Sequence, residues 1–80
     1  MKTVTLLYFA SLREQRGLAQ ETISTSAVTI RELYNEIKIQ HGLTLELKQL
    51  RIASNEAFVT EDAAFNEGDR IAFLPPVSGG

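Results

Sequence analysis

The residues of this chain that could do chemistry gather at one end. Both prolines and two of the five glycines fall in Pro75-Pro76-Val77-Ser78-Gly79-Gly80. Paired prolines favour an extended backbone rising about 3.1 Å per residue, so this tail would reach roughly 15–20 Å beyond whatever precedes it. Gly79 and Gly80 add length without width: lacking side chains, they can enter a channel too narrow for other residues and take dihedrals that alanine cannot. The group at the tip is a carboxylate. It is a poor electrophile, but joined to AMP it becomes an acyl donor, and a sulfur nucleophile that displaces the AMP leaves a thiocarboxylate. With no cysteine in the sequence, a sulfur carrier would have no better place for its cargo. Composition alone leaves simple fraying of a chain end standing beside this reading.

Elsewhere the chemical signals are weak. There is a single histidine, His41, and no cysteine, so neither disulfides nor a Cys/His metal site is expected, and no metal is assigned. His41 suits a cation at a helix C-terminus. Glu61 and Asp62 are adjacent carboxylates of the kind that serve turns and caps, with nothing nearby in sequence to complete an acid–base pair. The formal charge is −2, and the basic residues are dispersed along the chain, which argues against nucleic acid as a partner. No apolar run approaches the roughly 20 residues of a membrane span, and the N-terminal residues lack the apolar stretch of a signal peptide. A soluble, cytoplasmic protein with no membrane partner is expected.

The elements that must hold the tail can be read from hydrophobic spacing. Lys2–Phe9 alternates with period 2, placing Val4, Leu6 and Tyr8 on a core face and Thr3, Thr5, Leu7 and Phe9 on the other. Ser11–Arg16 suits a short helix closed by Gly17, and Glu21–Thr25 a second strand around Ile23. Thr29-Ile30-Arg31-Glu32 fits a capping box, predicting a helix from Ile30 that buries Ile30, Leu33, Tyr34 and Ile37 and stops at Gly42. Leu43–Leu50 alternates like a strand but has helical composition, and is read as a connection lending leucines to the core. Arg51–Ser54 and Ala57–Val59 are short strands joined at Asn55-Glu56, with Ile52 and Val59 inward. Asn66-Glu67-Gly68-Asp69 is a turn leading into Arg70–Leu74, with Ile71 and Phe73 on one face, and Pro75 ends that strand.

This order predicts an α+β domain in which a mixed sheet of about five strands wraps one main helix; the β-grasp is the simplest such arrangement. The globular part would be residues 1–74 and the extended functional tail residues 75–80. In a β-grasp the first strand pairs with the last at the sheet centre, so the end of the first strand and the tail exit come together. Phe9 and Leu74 then share the non-core parity of neighbouring strands, and Phe58 has the outward parity of its own. These three, exposed near the tail root, would form a partner interface, with Arg13 available to an acidic partner group or simply solvated.

The tail, the preceding Gly68-Asp69-Arg70-Ile71-Ala72-Phe73 and the N-terminal Phe9-Ala10-Ser11-Leu12-Arg13-Glu14 together resemble the ubiquitin-like sulfur carriers that serve as small subunits of molybdopterin synthase. The likeness spans the whole chain, is most specific at the tail, and between Ala27 and Leu50 holds mainly in pattern. It implies a β-grasp fold and a cycle. A ubiquitin-activator-like adenylating enzyme, using ATP and magnesium, would form an acyl-adenylate at Gly80, and a sulfur donor would convert it to the thiocarboxylate. The loaded carrier would then give sulfur to the cyclic pyranopterin precursor in a pocket of the large synthase subunit. The chain alone would bind no cofactor, and only with the large subunit would it form a sulfurtransferase. Three rivals share the same tail: a carrier for another pathway such as thiamine thiazole synthesis, a protein modifier that joins Gly80 to a target lysine, and an interaction domain with an inert end.

Overall fold

The computed structural model describes residues 1–76. Its strands are β1 (Lys2–Tyr8), β2 (Gln20–Thr25), β3 (Arg51–Ser54), β4 (Ala57–Val59) and β5 (Arg70–Leu74), and its helices α1 (Ala10–Arg16) and α2 (Ile30–His41). The sheet runs β2-β1-β5-β3-β4. β1 and β5 are parallel at its centre, and the other neighbours are antiparallel. A parallel pair needs a crossover, and everything between residues 9 and 69 supplies it. This is the β-grasp order expected from the sequence.

One face of the sheet is core. Val4, Leu6 and Tyr8 of β1 and Ile71 and Phe73 of β5 are fully buried against Ile30, Leu33, Tyr34 and Ile37 of α2. The register sets Leu6 beside Ile71 and Tyr8 beside Phe73. Tyr34 and Phe73 meet with ring centroids 5.1 Å apart. Each such side chain withdrawn from water contributes roughly 1.5–3 kcal/mol. α2 begins where its capping box dictates: Thr29 Oγ1 accepts from the Glu32 N–H at 3.3 Å, and Glu32 Oε1 accepts from the Val28 and Thr29 N–H groups at 2.8 and 3.2 Å. Those backbone donors, Val28 first, hold the Glu32 carboxyl below the usual carboxylate range. The helix ends on Gly42 in the left-handed conformation.

Two sequence expectations are refined. Residues 43–50 form neither a strand nor a helix beyond one 3₁₀ turn, Leu47–Gln49. Leu43, Leu47 and Leu50 are buried and Leu45, half-buried, packs against the same core, because steps of four and three residues bring three leucines inward. Val59 is only half-buried, since β4 is an edge strand with a neighbour on one side.

The β3–β4 hairpin turns on Asn55 and Glu56, both at positive φ, 51° and 73°. That is the pattern of a two-residue turn favouring Asn-Gly. Asn55 is further fixed by the start of β5: its Oδ1 accepts from the Arg70 N–H and its Nδ2 donates to Asp69 Oδ1, both at 3.0 Å. Glu56 carries the left-handed penalty without such compensation. Glu56→Gly is therefore expected to stabilise the fold by about 0.5–1 kcal/mol, read as a rise of roughly 2–8 °C in Tm by calorimetry; a fall in Tm would show that Glu56 makes a contribution larger than its strain.

Candidate functional site: the outer sheet face and the root of the tail

The face of the sheet turned away from α2 is built by register. Leu7 lies beside Gln20 on one side and Ala72 on the other, Ala72 beside Ala53, and Ala53 beside Phe58, making one row across all five strands. Ala53 and Ala72 are short, so the row dips between Leu7 and Phe58. The result is an open depression of ≈ 520 Å³ whose lining includes Leu7, Phe9, Ala53, Arg70 and Ala72. Phe58 stands 64% exposed and Phe9 44% exposed. Large apolar side chains exposed on one face are the mark of a surface meant to be covered. The next position toward the tail pairs Leu74 with Arg51, and the Arg51 guanidinium carbon lies 4.4 Å from the centroid of the Phe58 ring, a stacking worth about 0.5–1 kcal/mol at an exposed site.

The tail root forms where β1 and β5 end together. Tyr8 is level with Phe73, so Phe9 and Leu74 follow at the same end of the sheet. Phe9 then occupies the N-cap position of α1, and Leu12 anchors that helix in the core. Ala10 takes φ 50°, an unusual conformation for a residue with a side chain, where the chain bends from strand into helix. A second depression, of ≈ 660 Å³, is lined by Ala10, Ser11, Arg13, Glu14, Leu45, Pro75 and Pro76. Arg13 is thereby brought to the base of the tail.

α1 is fixed in this position from its far end. Arg16 donates to both oxygens of Glu21 at 2.9 and 2.7 Å, and the Tyr8 hydroxyl donates to Glu21 Oε2 at 2.6 Å. The Arg16 hydrogen bonds hold the Glu21 carboxyl below its ordinary range, while burial and then the Glu21 carboxylate push the Tyr8 hydroxyl well above its own. The other ion pairs tie Arg31 to Glu61 and Asp62 and Lys38 to Glu46. Glu61 and Asp62 thus brace the loop before Phe65 against the start of α2. Arg13, Arg51 and Arg70 enter no ion pair among the described residues; Arg70 lines the depression of the outer face and Arg13 that of the tail root, while Arg51 stacks on Phe58. No group of three or more His, Cys, Asp or Glu side chains that could hold a metal occurs among the described residues.

Of the site residues read from sequence, Phe9, Arg13, Leu74, Pro75 and Pro76 come together at this end, and Phe58 lies two strands across from β5 on the same face. Leu74 differs from expectation: it is half-buried, not exposed. A side chain on a central strand is walled by neighbours on both sides, whereas Phe58 sits on an edge and Phe9 beyond a strand end. Val77, Ser78, Gly79 and Gly80 lie outside the described residues. The sequence reading passed over Leu7, Ala53 and Ala72. For Ala72 a signal was present in the apolar Ala72 and Leu74 on the outward parity of Arg70–Leu74, which a sheet with one wetted face would not need; Leu7 and Ala53 join it only through the register.

No helix of the described residues is long and apolar enough to cross a membrane. The sequence model of the ThiS family matches residues 6–80. The molybdopterin synthase sulfur carrier subunit of Drosophila melanogaster is 33% identical over 96% of this chain and 90% of its own length. Its Escherichia coli counterpart is 32% identical over 96% of this chain and 99% of its own. A chain of the protein–protein complex of subunits 1 and 2 of molybdopterin-converting factor from Helicobacter pylori superposes with a TM-score of 0.68 at 26% identity, covering 98% of this chain and 99% of that one. A match running from within the first strand through the last residue, on a β-grasp scaffold, has one meaning for descent: the chain belongs to the ThiS family.

Proposed function

We propose that this chain is the sulfur-carrier subunit of a molybdopterin synthase, acting through the carboxylate of Gly80. The observation that carries the reading is near-full-length similarity to proteins named for that role, including about one identical residue in three with carriers from an insect and a bacterium. The geometry supports it: the two central strands deliver the chain to Pro75 and Pro76 at the sheet's end, beside an apolar face rimmed by arginines.

In the proposed cycle the Gly80 carboxylate attacks the α-phosphorus of ATP in an adenylating enzyme of the ubiquitin-activator type, with magnesium, releasing pyrophosphate. Hydrosulfide supplied by a sulfur donor then adds to the acyl carbon and expels AMP, leaving the thiocarboxylate with no change in the oxidation state of sulfur. Val77, Ser78 and Gly79 carry that group into the pocket of the large synthase subunit, which supplies the catalytic side chains while the carrier supplies the sulfur. Transfer of the sulfur to the pyranopterin precursor and attack of water on the acyl carbon return the carboxylate. The cycle is proposed for the cytoplasm, where its ATP is available. Neither ATP nor metal need be held by the carrier itself.

Intact mass spectrometry after incubation with ATP, magnesium, an adenylating partner and a sulfur source tests this. The expected product is heavier by the difference between sulfur and oxygen, and it reverts when the large subunit and pterin precursor are added. An unchanged mass would refute the carrier reading, an isopeptide adduct on lysine would identify a modifier, and reversion only with a thiazole-forming partner would assign the other pathway.

A further inference from the structure

Two exposed side chains far apart in sequence make a reciprocal pair beside the tail root. Gln15 Nε2 donates to Thr44 Oγ1 at 2.9 Å, and the Thr44 N–H donates to Gln15 Oε1 at 3.0 Å. Both residues are exposed, so the hydrophobic core does not require the pair. What it fixes is the distance between α1 and the loop 43–46. These are two of the three walls of the depression whose remaining wall is Pro75 and Pro76. The loop is held from inside as well: the Tyr34 hydroxyl donates to the Leu45 carbonyl at 2.8 Å. The ring of the same Tyr34 packs on Phe73, two residues before Pro75. The end of β5 and the loop are therefore both located by one buried side chain, and α1 is locked to the loop by a second set of bonds.

The geometry points to a bracket, made of Gln15, Thr44, Leu45 and Tyr34, that fixes the direction in which the chain leaves the domain at Pro75 and Pro76, making Gln15 a positioning residue for sulfur delivery. This rests on the carrier function proposed above for its catalytic consequence, but not for its structural one. A carrier docked by its sheet face presents its terminus wherever the root aims it. A tail of a few residues has little slack to correct an error there, and misplacement of a reacting group by about 1 Å can cost on the order of 100-fold in rate.

The test uses the full chain. Because it contains no cysteine, nitroxide labels can be placed solely at Gln40→Cys, on the exposed surface of α2, and Ser78→Cys, and their separation measured by pulsed electron paramagnetic resonance in three backgrounds. Gln15→Ala removes both bonds to Thr44. Gln15→Glu keeps both, since one carboxylate oxygen accepts from the Thr44 N–H and the other from its hydroxyl. The distance distribution is expected to broaden or shift in Gln15→Ala and to return in Gln15→Glu. In unlabelled, loaded carrier mixed with the large subunit and precursor, Gln15→Ala is expected to lower kcat about tenfold with KM within about twofold, and Gln15→Glu to restore it. Identical distance distributions in all three backgrounds, a wild-type kcat in Gln15→Ala, or a loss confined to KM would each overturn the bracket. Failure of the unsubstituted chain to load sulfur would overturn the carrier function instead, and the distance measurement would still decide whether the bracket exists.

Discussion

Removing Gly80, or extending the chain by even one residue beyond it, is expected to reduce sulfur loading to background while leaving Tm unchanged. The chemical reason is position. An extension turns the Gly80 carboxylate into a peptide bond, which cannot form the acyl-adenylate, and carries the free carboxylate about 3 Å past the place where it must react. Deletion of Gly80 leaves a carboxylate, but on Gly79, one residue nearer the globule. The reactive carbon then falls about 3 Å short, far outside the tolerance of a bond-forming step. Among the described residues, the buried core runs from Val4 to Phe73, and surface substitutions clear of special features stay within about ±0.5 kcal/mol. Mass spectrometry for loading and calorimetry for stability separate the two effects. Loading by a tagged chain at the normal rate would mean that the acyl group sits elsewhere.

The scaffold was legible in the sequence because each of its decisions is local. Val4, Leu6 and Tyr8 alternate, Thr29 and Glu32 cap, Ile30, Leu33, Tyr34 and Ile37 share a helical stripe, and glycines at 17 and 42 take the left-handed stop that only their lack of a side chain makes cheap. Once these elements are assigned, the parallel pairing of β1 with β5 follows from the fold they imply and brings Phe9 to the tail. The outer face was only half legible. Exposed aromatics at 9 and 58 announce themselves, but the depression between them is made by two alanines and a leucine whose significance exists only in the register that aligns Leu7, Ala72, Ala53 and Phe58. Burial of Leu74 is likewise a property of strand order, since the same leucine on β4 would be exposed. The bracket at Gln15 was not legible at all. Its partner is 29 residues away, in the one segment whose periodicity pointed to two structures at once.

Phe58→Asp and Phe9→Asp are each expected to weaken binding to the large subunit by roughly 10- to 150-fold, with little loss of stability. The magnitude follows from burial: covering a phenylalanine is worth about 1.5–3 kcal/mol, which converts to that range of Kd, and a carboxylate left in its place must be desolvated besides. Stability is spared because both rings already meet water, at 64% and 44% exposure. For Phe58 the change also alters the rim. The Arg51 guanidinium that now stacks on the ring would pair with the new carboxylate, offsetting some destabilisation but withdrawing a cation from the docking surface. Leu74→Asp provides the contrast. Its side chain is half-buried on a central strand, so it is expected to lower Tm as well as affinity, and a binding defect there could not be assigned to the interface alone. Titration calorimetry against the large subunit, run beside thermal melts, distinguishes the cases. Phe58→Asp with wild-type affinity would place the docking surface nearer the tail, on Phe9, Leu74 and Arg13. A fall in Tm for Phe58→Asp matching that of Leu74→Asp would mean that the edge strand depends on the aromatic ring for its own pairing with β3, and that the exposed face is structural before it is functional.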